Sequence, residues 1–184
     1  FRENQLETPF DIPIISNIQE FKRLNEYCRE LNINLIIKRH PKQLEYNNSN
    51  HNLSNIIFLT NEQLEKADIQ LYELLCTVDA LITDYSSIYF DFLLLNRPII
   101  FLPLDLEEYA QTRGFLLKPY DFWTPGPKVT TVEMLIDEIQ KCISDPAYYE
   151  QERNIVNDLI NHYQDGRSCE RVWKKIQCGI EERS

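Results

Sequence analysis

Four short apolar runs, Ile33 to Lys38, Ile56 to Leu59, Ala80 to Thr83 and Ile99 to Leu102, set the strongest limit on how this chain folds. Each has strand length and each closes on polar or turn-forming residues, as buried strands do on reaching a loop. Between them lie amphipathic stretches. Ser16-Asn17-Ile18-Gln19 has the form of a capping box, and Ile18, Phe21, Leu24, Tyr27, Cys28 and Leu31 follow at helical spacing. Asp68 is placed to cap a helix running through Thr77, and Ile88 to Leu95 fills the gap before the fourth run. Strands that alternate with helices predict the α/β class, with one parallel sheet covered by helices on both faces. Beyond Pro103 come an acidic segment from Asp105 to Tyr109 and an aromatic loop ending in Pro125-Gly126-Pro127. A second capping box at Thr130 to Glu133 then opens a helix to Ile143, and further helices are expected from Ala147 toward Tyr163 and from Ser168 to the end. No internal linker marks a second domain.

Composition narrows what such a fold does. With 19 Lys and Arg against 29 Asp and Glu the net charge is -10, the opposite of what binding a polyanion requires, so a nucleic-acid partner is not expected. The longest apolar stretch, Phe92 to Leu102, is interrupted by Asn96 and Arg97 and falls short of the roughly 20 residues that span a bilayer. Five cysteines without a C-x-x-C pair fit a reducing cytosol and argue against structural zinc, so no metal and no cofactor are expected. Four glycines cannot supply either common phosphate-cradling glycine loop. The chain opens on Phe1 and reads as a piece of a longer polypeptide.

Ligands of open α/β sheets bind beyond the carboxyl ends of the strands. Two polar clusters fall there: Arg39-His40 after the first strand and Asp84-Tyr85-Ser86-Ser87 after the third. Ser86 and Ser87 sit where the next helix begins, so hydroxyls and free backbone N–H groups can point together at a phosphate without any glycine. Asp91 lies one helical turn further, a position from which a carboxylate can accept hydrogen bonds from a ribose diol. Local sequence leaves plainer roles open. Ser86 serves equally as a helix cap, His40 as a loop histidine, Asp91 and Arg113 as solvated charges. Asp105, Glu107 and Glu108 read as a solvated acidic turn, and the aromatics from Tyr120 to Trp123 as loop packing.

The segments Lys38-Arg39-His40-Pro41, Tyr72-Glu73-Leu74-Leu75, Ala80 through Phe92, Arg97-Pro98-Ile99-Ile100-Phe101, Asp105 to Tyr109, Arg113-Gly114-Phe115 and Pro125-Gly126-Pro127 together resemble the CDP-glycerol glycerophosphotransferase family. These are the polymerases and primases of teichoic acids and capsules. The resemblance runs from Phe1 to about Arg171, and its specific element is Thr83-Asp84-Tyr85-Ser86-Ser87 with the downstream Asp91. It implies a Rossmann-like domain, the C-terminal half of a GT-B fold, with residues 1–184 as one donor-nucleotide domain and an acceptor domain lying outside this chain.

By that resemblance His40 is the catalytic histidine of this half. Ser86, Ser87 and Arg113, with Thr83 and Asp84, would hold the donor phosphates, and Asp91, with Arg39 and Pro41, the ribose and nucleotide. Position 39 carries Arg where the family more often has a small or Leu-type residue, and Arg167 stands where Lys is common; both keep or add positive charge. The implied donor is CDP-glycerol or CDP-ribitol, and the acceptor is a polyol-phosphate or saccharide polymer held mainly by the other domain. The reaction releases CMP, and the chain alone is expected to bind the donor without turning it over. The parent would be cytoplasmic and peripheral on the cell membrane. A UDP-sugar-dependent GT-B glycosyltransferase or epimerase half, or a non-catalytic nucleotide-binding module, are the alternatives.

Overall fold

A computed structural model describes residues 12–38 and 53–181. It contains β1 (Leu35–Lys38) and β2 (Ile56–Leu59), paired in parallel with Leu35 opposite Ile56, and β3 (Leu81–Thr83) and β4 (Ile99–Phe101), paired in parallel with Leu81 opposite Ile99. The class is α/β with parallel strands, as the alternation predicts. The single sheet expected from the sequence is instead two two-stranded pairs. Strands of three or four residues make short ladders, and a shared apolar core joins the pairs. Leu35 and Ile37 of β1, Ile56 and Phe58 of β2, Ile82 of β3 and Ile100 of β4 all meet in it.

That core is closed by α1 (Ile18–Glu30) and α7 (Val132–Ser144), which contribute Phe21, Leu24 and Cys28, and Val132, Leu135 and Cys142. A second core lies across β3–β4. It packs Ile99 and Phe101 against Leu75 of α3 (Leu71–Thr77), Tyr89 and Phe92 of α4 (Ile88–Phe92), and Val156 of α8 (Glu150–Ile160). Consecutive β4 residues therefore point into opposite cores, the period-two alternation of a strand covered on both faces.

Local physics fixes the boundaries. The N-cap of α1 is Asn17, whose side chain accepts from the Glu20 amide at 3.0 Å, while Glu20 reaches back to the Ser16 amide at 2.8 Å. The cap thus sits one residue later than the Ser16 motif suggests. Ile33 does not join β1, because its N–H donates to Cys28 O at 2.8 Å and ends α1 instead. Buried Asn25 accepts the Asn55 amide at 3.0 Å, tying the approach to β2 onto α1. Asp68 caps nothing. It lies at φ +54 after α2 (Asn61–Lys66), and Glu73 accepts the Gln70 amide at the start of α3. Thr131, with its side chain on the Met134 amide at 3.2 Å, is the cap of α7, and Glu133 turns away to pair with Arg23 of α1 at 2.6 Å.

Two basic residues complete the frame under the site. Arg97 donates to Cys76 O at 2.9 Å and Val78 O at 2.5 Å, satisfying carbonyls where α3 ends. Fully buried Arg153 donates to the Asn96 side chain, to the carbonyls of Asn96 and Pro146, and to Tyr148 O. This satisfies its fork without a carboxylate. It also holds Asn96 at φ +49, where the 3-10 turn Leu93–Leu95 after α4 stops. The remaining helices are α5 (Leu106–Thr112), α6 (Tyr120–Trp123) and α9 (Ser168–Glu181).

Candidate functional site

The turn at the carboxyl end of β3 is built from its own side chains. Thr83 is buried and its carbonyl accepts the Leu102 amide at 2.8 Å, fastening the strand end to β4. Asp84 Oδ1 then accepts the Ser86 amide at 3.1 Å, an Asx turn that reverses the chain without glycine. That amide is therefore committed, whereas the sequence suggested it was free for an anion. Ser86 Oγ lies 3.5 Å from the Ile88 amide, and Ser87, the N-cap of α4, makes no side-chain cap bond. Both serines are exposed. Their hydroxyls are thus barely engaged by helix capping.

Tyr85, between Asp84 and Ser86, points the other way and gathers distant segments. Its ring stacks on Tyr109 of α5 at 4.1 Å and lies 6.0 Å from Phe115 and 6.1 Å from Tyr120 of α6. Tyr109 stacks on Phe115 at 5.2 Å, and Phe115 meets Tyr120 at 4.9 Å. Gly114, at φ +71 with its N–H on Tyr109 O at 2.9 Å, lets the chain double back after α5 so that Phe115 reaches this cluster. Arg113, the residue before Gly114 on this reversal, is exposed.

The cluster has a polar lining. Burial first, and then the nearby Asp105 carboxylate, raise the Tyr85 pKa; burial, with Asp121 and Asp84 adding, raises that of Tyr120. Both phenols therefore stay neutral at physiological pH. Asp105 belongs to this cluster and is not the solvated acidic turn residue that its neighbours Glu107 and Glu108 are. The aromatic residues around Tyr120 pack as the loop reading proposed, and Tyr85 is the ring they pack around.

Asp91 lies on the exposed side of α4 and accepts a hydrogen bond from the Tyr72 hydroxyl of α3 at 3.1 Å. The pair borders a groove of about 310 Å³ between the two helices, walled mainly by Leu75, Phe92 and Leu95. Tyr72 falls in a segment that carries the family resemblance, but nothing in the sequence pairs it with Asp91, which lies 19 residues away. At the end of β1, Lys38 Nζ donates to Asn61 Oδ1 at 2.5 Å, and burial lowers its pKa. Arg39, His40 and Pro41 lie outside the described residues, and with them the expected meeting of His40 and Ser86 on one rim. Among the described residues no group of three His, Cys, Asp or Glu side chains is arranged to hold a metal ion. None of their helices is long and apolar enough to cross a membrane.

Comparison with known proteins bears on the whole chain. Residues 1–177 match the model of the CDP-Glycerol:Poly(glycerophosphate) glycerophosphotransferase family. The chain is 33% identical over 159 residues to teichoic acid ribitol-phosphate polymerase TarK of Staphylococcus aureus (strain NCTC 8325 / PS 47), covering 85% of this chain and 29% of TarK. It is 34% identical over 143 residues to the teichoic acid glycerol-phosphate primase of Bacillus subtilis (strain 168), covering 78% of this chain and 34% of the primase. The chain thus spans about a third of the length of these relatives. Among solved structures, that of the wall teichoic acid polymerase TagF aligns with a TM-score of 0.54 at 21% identity, covering 95% of this chain and 51% of TagF, a likeness of fold.

Proposed function

The chain belongs to the CDP-glycerol:poly(glycerophosphate) glycerophosphotransferase family, and from that premise we propose that it is the donor-nucleotide domain of a polyol-phosphate transferase. In this reading it forms the C-terminal half of a GT-B enzyme, and a preceding domain holds the acceptor. The observation that carries it is the β3–α4 turn. Two exposed serines stand there, Ser87 without a side-chain cap bond and Ser86 with only a 3.5 Å contact to the Ile88 amide, a carboxylate follows one helical turn on, and the Tyr85 ring packs against Tyr109 and Phe115, which flank Arg113 in sequence.

The donor is CDP-glycerol or CDP-ribitol. Its pyrophosphate lies against Ser86, Ser87 and Arg113, with Thr83 and Asp84 shaping the turn beneath, and its ribose lies at Asp91. Arg39 and Pro41 contribute to the ribose and nucleotide side of the site with Asp91. A hydroxyl of the acceptor polymer attacks the phosphorus that bears the polyol. A P–O bond forms, the P–O bond to CMP breaks, and the hydroxyl proton passes to a base of the acceptor domain. Negative charge gathers on the departing CMP, so preorganised donors at that oxygen lower the barrier more than they tighten ground-state binding. His40 is the residue assigned to that task. The complete enzyme works on the cytoplasmic face of the cell membrane, where it is held peripherally.

Calorimetry with CDP tests the donor half of this reading. Ser86→Ala, Ser87→Ala and Asp91→Ala are each expected to weaken CDP binding by about 1 to 3 kcal/mol, the range for losing a hydrogen bond to a charged group, with unchanged melting temperature. Unchanged affinity in all three returns these residues to capping and solvation. UDP binding as tightly as CDP favours a UDP-sugar enzyme. In the full-length parent, His40→Ala is expected to lower turnover far more than donor affinity.

A further inference from the structure

We propose that Tyr72 is a positioning residue for nucleotide recognition, holding the Asp91 carboxylate in the orientation that receives the ribose hydroxyls. The inference rests on the assignment of Asp91 to the ribose and adds a residue from a different helix to that site. Tyr72 stands on the first turn of α3 and Asp91 on α4, and the phenol donates to Asp91 Oδ2 across the groove between them at 3.1 Å. No other donor among the described residues reaches Asp91.

Several features point to positioning and away from a purely structural bond. Tyr72 is 58% exposed and Asp91 is also exposed, so water would satisfy both groups if they separated, and the fold gains little from the contact. The groove walls nearby are Leu75, Phe92 and Leu95, which leaves the phenol–carboxylate pair as the polar mark on an apolar surface. A few placed polar groups on an apolar wall are what orient a small ligand. An ionised carboxylate accepts at about four lone-pair sites. One phenol on Oδ2 therefore removes the carboxylate's rotational freedom and leaves Oδ1 to accept from a vicinal diol. Binding then orders fewer side-chain torsions, the benefit of a preorganised site. The hydrogen bond also raises the Tyr72 pKa, which keeps the phenol in its neutral donating form.

The test uses CDP and 2′,3′-dideoxy-CDP, which lacks the hydroxyls that Asp91 would receive, as calorimetric ligands for the unaltered chain, Tyr72→Phe, Asp91→Asn and the double variant. Tyr72→Phe is expected to weaken CDP binding about three- to tenfold, to leave dideoxy-CDP affinity and melting temperature unchanged, and to cost nothing further once Asp91→Asn is present. Equal losses for both ligands would make Tyr72 a structural residue and overturn the proposal. So would a Tyr72→Phe chain with normal CDP affinity while Asp91→Asn binds weakly, an outcome that leaves the ribose assignment standing. If Asp91→Asn binds CDP normally, the ribose assignment fails and the role of Tyr72 fails with it; if the unaltered chain binds no CDP at millimolar concentration, the donor-site reading itself fails as well.

Discussion

β2 and β4 are close to identical as sequence, Ile56-Ile57-Phe58-Leu59 against Ile99-Ile100-Phe101, yet they live in different surroundings. Every residue of β4 is at most 1% exposed, because successive side chains enter two separate cores, whereas Ile57 of β2 is 43% exposed. An apolar run thus encodes a strand but not its number of covered faces; that depends on which helices are near enough to pack. β4 is flanked by α1 and α7 on one face and by α3, α4 and α8 on the other, and α4 of that second set starts at the serine turn. The candidate site is carried by the doubly braced pair.

The sharpest way to break this contrast is to shorten equivalent side chains. Ile99→Ala is expected to destabilise the chain by about 2 to 5 kcal/mol, the range for a large-to-small change in a packed interior. Ile57→Ala should stay within about 0.5 kcal/mol, as exposed substitutions do. Urea unfolding of both variants checks it. Equal losses would mean that β2 is covered as fully as β4.

A smaller effect follows from how the far edge of β4 is closed. The segment after Pro125-Gly126-Pro127 runs beside β4, with the Phe101 amide on Pro127 O and the Val129 amide on Phe101 O, both at 2.9 Å. A Cβ on Gly126 would stand 2.0 Å from Ile99 O, so the close approach admits glycine alone. Gly126→Ala is expected to push this edge segment off β4 and to cost about 1 to 3 kcal/mol, the usual range for overpacking. Hydrogen exchange should localise the loss to the amides of Phe101 and Val129. Unchanged protection there would show that the edge yields without separating.

What sequence made legible follows the same division. β2 and the β3–turn–α4 unit can be read because their signals are local: an apolar run, a polar turn and a helix start within about a dozen residues. Ile33 misleads because its amide is claimed by α1, and the single sheet because strand-to-strand adjacency depends on the shared core. α2 offers one buried apolar residue, Leu64, too little to show a period. At the site, the exposed serines and Asp91 follow from position in the β–α unit. The aromatic cluster and Tyr72 do not, since their partners lie 19 to 35 residues away and nothing in Tyr72-Glu73 or Asp105-Leu106 marks the pairing. Asp105 looks like a solvated charge until Tyr85 is seen beside it.

That last pairing gives the smallest and most selective prediction. The Tyr85 ring performs the packing against Tyr109, Phe115 and Tyr120, while its hydroxyl meets Asp105, so the two contributions can be separated by choice of substitution. Tyr85→Phe keeps the stack and removes only the buried hydroxyl near Asp105, an expected change within about 1 kcal/mol with CDP affinity nearly unchanged. Tyr85→Leu keeps apolar bulk but removes ring stacking, worth about 0.5 to 1.5 kcal/mol for each aromatic pair beyond the area buried. It frees α5 and the Arg113-Gly114-Phe115 reversal from the serine turn. If the stack is what brings Arg113 to the donor phosphates, Tyr85→Leu should weaken CDP binding well beyond Tyr85→Phe, and cytidine, which has no phosphate, should bind both variants alike. Equal CDP affinities in the two variants would mean that the aromatic cluster holds the fold together without positioning Arg113.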